Sequence, residues 1–261
     1  MTASPAPKQA AQAAEGARNS VDPVDLARFT RLGDEWWAPN GPMRPLHRMN
    51  PPRVAWIRDH LCARYGRDAK MPRPLDGLAI LDVGCGGGIL CEPLARLGAS
   101  VTGIDPGEEN VGAARAHAQR MGLSIDYRAT TVEALGDGPE LFDAVLAMEV
   151  VEHVVDPEAF LAATAKLAKP GGLVFASTLN RNLKSWAMAI VGAEYLLRWL
   201  PRGTHDWGKF LTPDELSAML RAAGLEIEDR AGVIYDPLAD RFRLSARDLD
   251  VNYMLVARKE A

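Results

Sequence analysis

Three side chains of the kinds that move protons or bind metal ions lie close together in the chain: Glu149, Glu152 and His153. A helical turn from Glu149 to Val155 would place them at i, i+3 and i+4, and therefore on one face. Two chemistries are open to such a face. His153 can be a general base tuned by a neighbouring carboxylate. Alternatively, the three can bind a divalent ion, for which oxygen-rich ligation favours Mg²⁺ and the imidazole also admits Zn²⁺ or Mn²⁺. A solvated acidic helix start is the interpretation without chemistry.

A second candidate site is a turn in which an acid precedes a glycine-rich run. Asp82 comes two positions before Gly84, and Gly86 lies in the same run, 84–88. Glycines let the backbone bend sharply and approach a ligand over a helix N-terminus. A dinucleotide fingerprint requires glycine or alanine at the sixth position, where this chain has Ile89. Asp82 would also repel a pyrophosphate and attract a cation. If the run is more than a tight turn, it therefore favours S-adenosylmethionine, which carries a sulfonium and an ammonium and no phosphate.

A third acid ends the next apolar segment. Asp105 follows the run 100–104 and lies about twenty residues after Gly84, where a carboxylate can accept hydrogen bonds from both hydroxyls of a ribose. A surface-loop aspartate is the alternative interpretation. The position directly after a short apolar segment favours the ribose role.

The scaffold that would bring these residues together is predicted from apolar runs that alternate with helical patterns. Predicted strands cover 79–83, 100–105, 125–129, 142–147 and 173–177, and predicted helices cover 89–97, 108–121 and 157–168. This order is typical of an α/β protein with a parallel sheet, in which ligands bind at the carboxyl ends of the strands. All three candidate sites fall at such ends.

The segments on either side of this core are predicted with less detail. A helix over 51–65 precedes the first strand, and another helix begins at Pro213 with Thr212 as its N-cap. Residues 225–230 and 252–258 are predicted as the last two strands. The stretch 236–250 between them is predicted as a loop that borders the substrate mouth.

Composition indicates one enzyme domain that does not bind nucleic acid. The chain has 261 residues, and its 30 basic and 34 acidic residues give a net charge of -4. Its three cysteines, Cys62, Cys85 and Cys91, form no C-x-x-C pair, which argues against a disulfide framework or a zinc cluster and favours a reducing compartment. Residues 1–23 are predicted to be a disordered tail. Residues 24–261 are predicted to form a single domain in which 24–77 supply helices that cover the ligand.

An insertion is predicted over 179–210, and its part 183–200 places apolar residues at helical spacings. Glu194 and Arg198 interrupt this part, so its apolar length is below the roughly 20 residues of a membrane span. An amphipathic helix lying on a membrane surface, with tryptophans and basic residues at the headgroups, fits the pattern. A lid or core helix packed on the sheet is the alternative.

Taken together, these motifs resemble those of class I S-adenosylmethionine-dependent methyltransferases. The segments that carry this resemblance are 81–90, 103–105, 148–154 and 169–172. Within that superfamily the chain is similar to the ubiquinone biosynthesis O-methyltransferase family, over roughly Phe29 to Ala257. The segments that narrow the resemblance are 45–51, 177–182, 192–195, 201–206 and 250–254.

The resemblance implies a fold, a reaction and a location. The fold is Rossmann-like, with a seven-stranded, mostly parallel sheet, an antiparallel edge strand and helices on both faces. The reaction is methylation of phenolic hydroxyls on polyprenylated catechol and demethylubiquinol intermediates, at both O-methylation steps. The location is cytoplasmic and peripheral on the inner membrane, with membrane lipid bound through 183–200 and a ubiquinone biosynthesis complex as a partner. A methyltransferase for another small phenol or lipid, and a non-catalytic scaffold that binds the cofactor, are the alternatives.

The resemblance also assigns residues to roles. It places cofactor contacts on Arg53, Gly84, Asp105 and Met148, to which the glycine turn adds Gly86 and, near the sulfonium, Asp82. Arg53 would pair with the methionine carboxylate through a bidentate contact. Because some family members need a divalent ion, the resemblance favours metal binding for the face formed by Glu149, Glu152 and His153, which is also the predicted catalytic group.

Overall fold

The computed structural model describes residues 20–188 and 206–260. One sheet of eight strands, in the order β3-β2-β1-β4-β5-β8-β6-β7, forms its centre. The strands are β1 Ala79–Val83, β2 Ser100–Asp105, β3 Asp126–Ala129, β4 Phe142–Met148, β5 Ala168–Leu179, β6 Leu225–Asp236, β7 Arg241–Ser245 and β8 Asn252–Lys259. The first five strands pair in parallel, and β8 runs antiparallel to both β5 and β6.

Helices cover both faces of this sheet. They are α1 Pro23–Thr30, α2 Arg44–Arg64, α3 Cys91–Arg96, α4 Glu108–Arg120, α5 Val132–Gly136, α6 Pro157–Leu167, α7 Leu183–Ser185 and α8 Pro213–Ala222. The predicted alternation of strands and helices is confirmed. Helix α2 begins seven residues before the predicted start at Pro51 and carries Pro51 and Pro52 inside it.

The predicted number of seven strands is wrong, because β7 forms inside the stretch that was predicted as a loop. It pairs with β6 from Gly232 opposite Ser245 to Asp236 opposite Arg241. Phe242 alternates with polar neighbours and packs against the core beneath helix α2. That short period-2 pattern is the strand signal, and the charged residues on either side of it hide it.

The core lies in two layers on opposite faces of the sheet. Ile80 of β1 packs into the layer that contains Trp56 and Ile57 of α2. Its neighbour Leu81 packs into the opposite layer, with Phe160 of α6. Because both faces are covered, β1 is apolar at every position except Asp82 and does not alternate between apolar and polar residues. The carboxyl ends of the parallel strands are thereby fixed at one edge of the sheet.

The N-terminal segment, residues 20–30, packs at the edge of the sheet where the parallel strands have their carboxyl ends. Asp22 caps helix α1 by accepting hydrogen bonds from the backbone of Val24 and Asp25. Val21 forms an antiparallel bridge with Val154, and Ser20 accepts a backbone hydrogen bond from Val155. Residues 1–19 of the predicted tail lie outside the described residues.

Only the two ends of the predicted insertion are described. At one end, helix α7 begins with a capping box whose N-cap is Asn182. At the other end, the chain is described again from Asp206, whose side chain caps a short 3-10 turn, Trp207–Lys209. The helix predicted over 183–200 therefore lies mostly outside the described residues. Within the described residues, no helix has the length and apolar character needed to cross a membrane.

Candidate active site

One cavity of about 610 Å³ opens where the carboxyl ends of β1, β2 and β4 meet. Every residue that the sequence predicted for the cofactor or for catalysis lines it: Arg53, Asp82, Gly84, Gly86, Asp105, Met148, Glu149, Glu152 and His153. Parallel strands bring these residues together although they are far apart in sequence. The cavity can therefore hold a cofactor and a second reactant side by side.

The glycine turn after β1 needs glycine for two separate reasons. Gly84 and Gly86 have φ angles of 69° and 52°, in the left-handed region that side chains disfavour. A Cβ at Gly84 would also lie 2.6 Å from a methyl group of Val150, and a Cβ at Gly86 would clash with the ring of Trp36. The turn is thus packed between the loop after β4 and the N-terminal segment, and its backbone borders the cavity.

Asp105 ties this turn to the end of β2. Its carboxylate accepts hydrogen bonds from the backbone of Gly86 (3.0 Å) and Gly107 (2.8 Å) and from the side chain of Asn110 (3.0 Å). Burial raises the pKa of Asp105, and these three donors oppose the rise. Because a carboxylate has about four acceptor positions, the arrangement leaves room for a ribose hydroxyl. Trp36 donates to the same Asn110 at 3.0 Å and so closes over this end of the cavity.

Asp82 is buried beneath the turn, where only 3% of its surface is exposed. Cys91 of α3 donates to its carboxylate at 3.1 Å. Burial raises the pKa of Asp82 to about 7, while the hydrogen bond from Cys91 and the charge of Arg53 act in the opposite direction. A cationic ligand in the cavity would favour the ionised form of this acid.

Glu149 forms a partly buried ion pair with the buried side chain of Arg53. It directly follows β4 with a φ of 59°, a conformation that is uncommon for a residue with a side chain. Its carboxylate accepts from Arg53 (2.9 Å) and Ser177 (2.6 Å) through one oxygen and from Asn252 (2.8 Å) through the other. Donors from α2, β5 and β8 thus hold one carboxylate in a fixed position.

Glu152 and His153 lie in a 3-10 turn, Val151–His153. Burial and the charge of Glu149 raise the pKa of Glu152 to about 7. Burial disfavours the charged form of His153, but the hydrogen bond with Asp25 and the charges of Glu152 and Glu149 outweigh it and raise the pKa of the imidazole. Its Nδ1 lies 3.2 Å from the carboxylate of Asp25. This side of the cavity is therefore a cluster of titratable groups, Asp25, Glu149, Glu152 and His153, in which neighbouring charges shift the pKa values of Glu152 and His153.

The predicted metal site does not assemble in this arrangement. The helical turn begins at Val151, so Glu149 lies before it and does not share its face. Both carboxylate oxygens of Glu149 are engaged by protein donors, and His153 presents Nδ1 to Asp25. Across 20–188 and 206–260, no three His, Cys, Asp or Glu side chains are placed to hold a metal ion. The donor types suit a hard divalent ion, but their positions do not, and we derive no step through one.

Comparison with known proteins agrees with this geometry. A family model described as a methyltransferase domain matches residues 56–229. A ubiquinone biosynthesis O-methyltransferase from Rhizobium leguminosarum bv. trifolii is 54% identical over 247 residues, which are 95% of this chain and 98% of that protein. The one from Dinoroseobacter shibae is 57% identical over 242 residues, 93% and 98% of the two chains. The chain belongs to the ubiquinone biosynthesis O-methyltransferase family.

The fold of this chain is also found in solved structures of methyltransferases. Magnesium protoporphyrin IX methyltransferase from Synechocystis, with S-adenosylmethionine bound, is 19% identical, covers 80% of this chain and 78% of its own, and superposes with a TM-score of 0.53. At this identity the likeness concerns the fold alone. The predictions of a class I methyltransferase fold and of an S-adenosylmethionine-dependent O-methyltransferase are confirmed.

In this family member, the structure adds residues that sequence reasoning did not select. Asp25 contacts His153, Asn110 supports Asp105, and Asn252 holds Glu149. Asn252 lies within the segment 250–254, which resembles the family but whose residue types indicate no chemical role. For Asp25 and Asn110 no local signal exists, because each lies on a helix and becomes important only through a tertiary contact.

Proposed function

We propose that the protein transfers the methyl group of S-adenosylmethionine to a phenolic hydroxyl of a polyprenylated catechol or a demethylubiquinol, at both O-methylation steps of ubiquinone synthesis. One observation carries the proposal. A single cavity is bordered at one end by the glycine turn and Asp105 and at the other by Glu152 and His153. The names of the relatives supply the substrate class.

In this reaction the protein has to align the phenolic oxygen with the methyl group and remove the phenolic proton. A phenol has a pKa of about 10 and is a poor nucleophile at neutral pH, while the sulfonium already activates the methyl group. The carbon–oxygen bond forms as the carbon–sulfur bond breaks, giving a methyl ether and S-adenosylhomocysteine. His153 in its neutral form accepts the phenolic proton on Nε2, because Nδ1 faces Asp25. Enclosure in the cavity excludes water and orients the reactants.

The cofactor contacts follow from the same geometry. Backbone at Gly84 and Gly86 allows close approach, Asp105 accepts from the ribose, and Met148 lines the cavity at the end of β4. Arg53 already donates through one terminal nitrogen to Glu149, while its buried Nε has no hydrogen-bond partner among the described residues. That remaining donor is suited to the methionine carboxylate, which the resemblance pairs with Arg53 through a bidentate contact.

We extend the proposal to peripheral attachment at the inner membrane on the cytoplasmic side. Leu183 is 80% exposed, and Trp186, Met188 and Trp207 expose large apolar surface beside it. Lys184, Ala187 and Met188 also line the cavity. The start of the insertion therefore combines an exposed apolar surface with access to the site, which suits a substrate whose polyprenyl tail lies in a bilayer.

Turnover of a short-chain demethylubiquinol and a polyprenyl catechol, with S-adenosylmethionine as donor, tests the proposal. We expect a methyl ether from both substrates. Methylation of another phenol or lipid in place of both would overturn the substrate class, and cofactor binding without turnover of any phenol would indicate a scaffold. Parallel assays with a chelator decide between the two interpretations of the Glu149, Glu152 and His153 cluster. Activity that is lost and then restored by Mg²⁺ would require Glu149 to leave Arg53 and bind an ion.

A further inference from the structure

Asn252 stands at the start of β8, next to the acid cluster of the cavity. It pairs with Leu179 of β5 on one side and with Val233 of β6 on the other, so its backbone is fixed in the interior of the sheet. Its side chain lines the cavity and is only 6% exposed. A buried amide that faces a ligand cavity can contribute to recognition.

The orientation of this amide is determined by its neighbour. Asn252 donates from Nδ2 to Glu149 at 2.8 Å. Because Glu149 is ion-paired with Arg53 and its carboxylate can only accept, the NH₂ group must be the end that faces it. The amide oxygen, Oδ1, therefore points away from Glu149. It is buried and has no hydrogen-bond partner among the described residues.

A second acceptor of the same kind lies in the wall of this cavity. Oε2 of Glu152 is buried and also has no partner in the described part of the chain, and Glu152 is 3% exposed. Buried acceptors are costly to leave without a donor. Asn252 is therefore suited to a ligand that brings a hydrogen-bond donor into the cavity, whereas the hydroxyl of Thr178 can also serve Glu152 as a donor.

We propose that Oδ1 of Asn252 accepts a hydrogen bond from the ring hydroxyl adjacent to the one that is methylated, and so selects the reduced, dihydroxylated ring. This inference rests on the proposed function. A catechol or quinol offers that second donor. A quinone offers a carbonyl oxygen that would face Oδ1 as acceptor against acceptor, and a ring without the second hydroxyl leaves Oδ1 unpaired.

The test compares a short-chain 3-prenylcatechol with 3-prenylphenol, which keeps the hydroxyl that is meta to the tail and accepts the methyl group and lacks the adjacent hydroxyl. In the wild type, kcat/KM favours the catechol. Asn252→Ala removes Oδ1, and we expect the ratio of the two kcat/KM values to fall by about 10- to 100-fold, because the gain from the second hydroxyl disappears. The ortho-quinone of the same ring should inhibit this variant more strongly than it inhibits the wild type.

Ser177→Ala is the matched control. Ser177 also donates to Glu149, at 2.6 Å, so its loss weakens the hold on that carboxylate while leaving Oδ1 of Asn252 in place. We expect this variant to affect both substrates by the same factor and to keep the wild-type ratio. An equal fall of the ratio in both variants, or no fall in Asn252→Ala, would overturn the inference.

Two further measurements keep the test decisive if a variant does not fold or does not turn over substrate. Asn252→Ser keeps a small polar group and replaces the alanine variant if thermal unfolding shows that the latter does not fold. Calorimetric titration of both ring compounds into the complex with S-adenosylhomocysteine reports the same ratio as binding constants. If the wild type does not methylate the catechol, the proposed function fails. If it does and neither variant changes the ratio, only the role of Asn252 fails.

Discussion

Oδ2 of Asp25 lies 3.2 Å from Nδ1 of His153, although 128 positions separate the two residues in the chain. The ring of Phe29 meets the same imidazole edge-on at 5.1 Å, so helix α1 holds it from two directions. A carboxylate on Nδ1 fixes the proton there and leaves Nε2 as the basic nitrogen, which in the proposed reaction would accept the phenolic proton. The N-terminal helix therefore positions the candidate base.

Replacing Asp25 by alanine should slow the chemical step without weakening the cofactor. We expect kcat to fall by about 10- to 100-fold, because the imidazole loses its tautomer and its orientation. The dissociation constant of S-adenosylmethionine, measured by calorimetry, should stay unchanged, because the polar partners of the Asp25 side chain among the described residues are His153, Lys209 and Arg28, outside the glycine turn. Asp25→Glu should recover part of the activity.

Asp22→Asn provides the control for this variant. Asp22 and Asp25 both pair with Lys209, at 2.7 Å and 3.2 Å, but among the described residues His153 bonds to Asp25 and not to Asp22. Asparagine also preserves the cap of α1. A loss of kcat in Asp22→Asn equal to that in Asp25→Ala would mean that docking of helix α1, and not the contact with His153, supports the reaction.

The raised pKa of Glu152 predicts that stability depends on pH with a defined sign. Its pKa rises from the usual 4.5 to about 7, mainly through burial. The folded protein thus holds this proton more tightly than the unfolded chain, and the stabilisation is complete below pH 4.5 and lost as the pH rises through 7. Glu152→Gln should therefore gain stability over the wild type as the pH rises, by at most about 3 kcal/mol at pH 8.5 relative to pH 4.5.

Urea unfolding at the two pH values measures this difference. Glu158→Gln, at the exposed start of α6, is the control, and we expect it to shift the free energy of unfolding equally at both pH values. If Glu152→Gln also shows no change with pH, the carboxyl group titrates alike in the folded and unfolded chains, and its burial has no energetic consequence.

The sequence predicted the positions that local pattern and strand order determine. Gly84 follows β1, Asp105 ends β2 and His153 comes shortly after β4, and the parallel sheet then places these strand ends side by side. The partners of these residues could not be predicted in the same way. Asp25 lies on a helix with no periodic link to residue 153, and Asn252 reaches Glu149 only because β8 inserts between β5 and β6.

The helical face predicted for Glu149, Glu152 and His153 shows the limit of periodicity. A three-residue spacing predicts neighbours only if the backbone is helical from the first residue. Here Glu149 adopts a positive φ, which is stabilised by Arg53 and Asn252 and is not encoded locally. Tertiary hydrogen bonds therefore decide where this carboxylate lies, and the same contacts separate it from the expected metal-binding geometry.

The close packing of the glycine turn predicts a large effect of one added methyl group. Gly84→Ala must adopt a φ of 69° and place its Cβ 2.6 Å from Val150. We expect the free energy of unfolding to fall by about 2–4 kcal/mol and the affinity for S-adenosylmethionine to fall with it, because the turn has to move. Denaturant unfolding and calorimetry measure the two quantities.

Gly112→Ala is the matched control for the glycine turn. Gly112 lies inside helix α4 at an exposed position, and a Cβ added there meets nothing within 4 Å. Alanine should stabilise this helix by about 0.5–1 kcal/mol and leave the affinity for the cofactor unchanged. If both variants behave alike, the backbone conformation and contacts of Gly84 carry no special constraint.

The exposed apolar residues at the start of the insertion predict binding to a lipid surface. Leu183→Glu places a charge where the wild type has a side chain that is 80% exposed, and we expect binding to anionic vesicles in flotation assays to weaken about tenfold. Leu238→Glu is the control, because Leu238 is 99% exposed but lies in the turn between β6 and β7. It should bind vesicles as the wild type does. A wild type that does not float, or a Leu238→Glu variant that loses binding to the same extent, would show that the start of the insertion is not a lipid-binding surface.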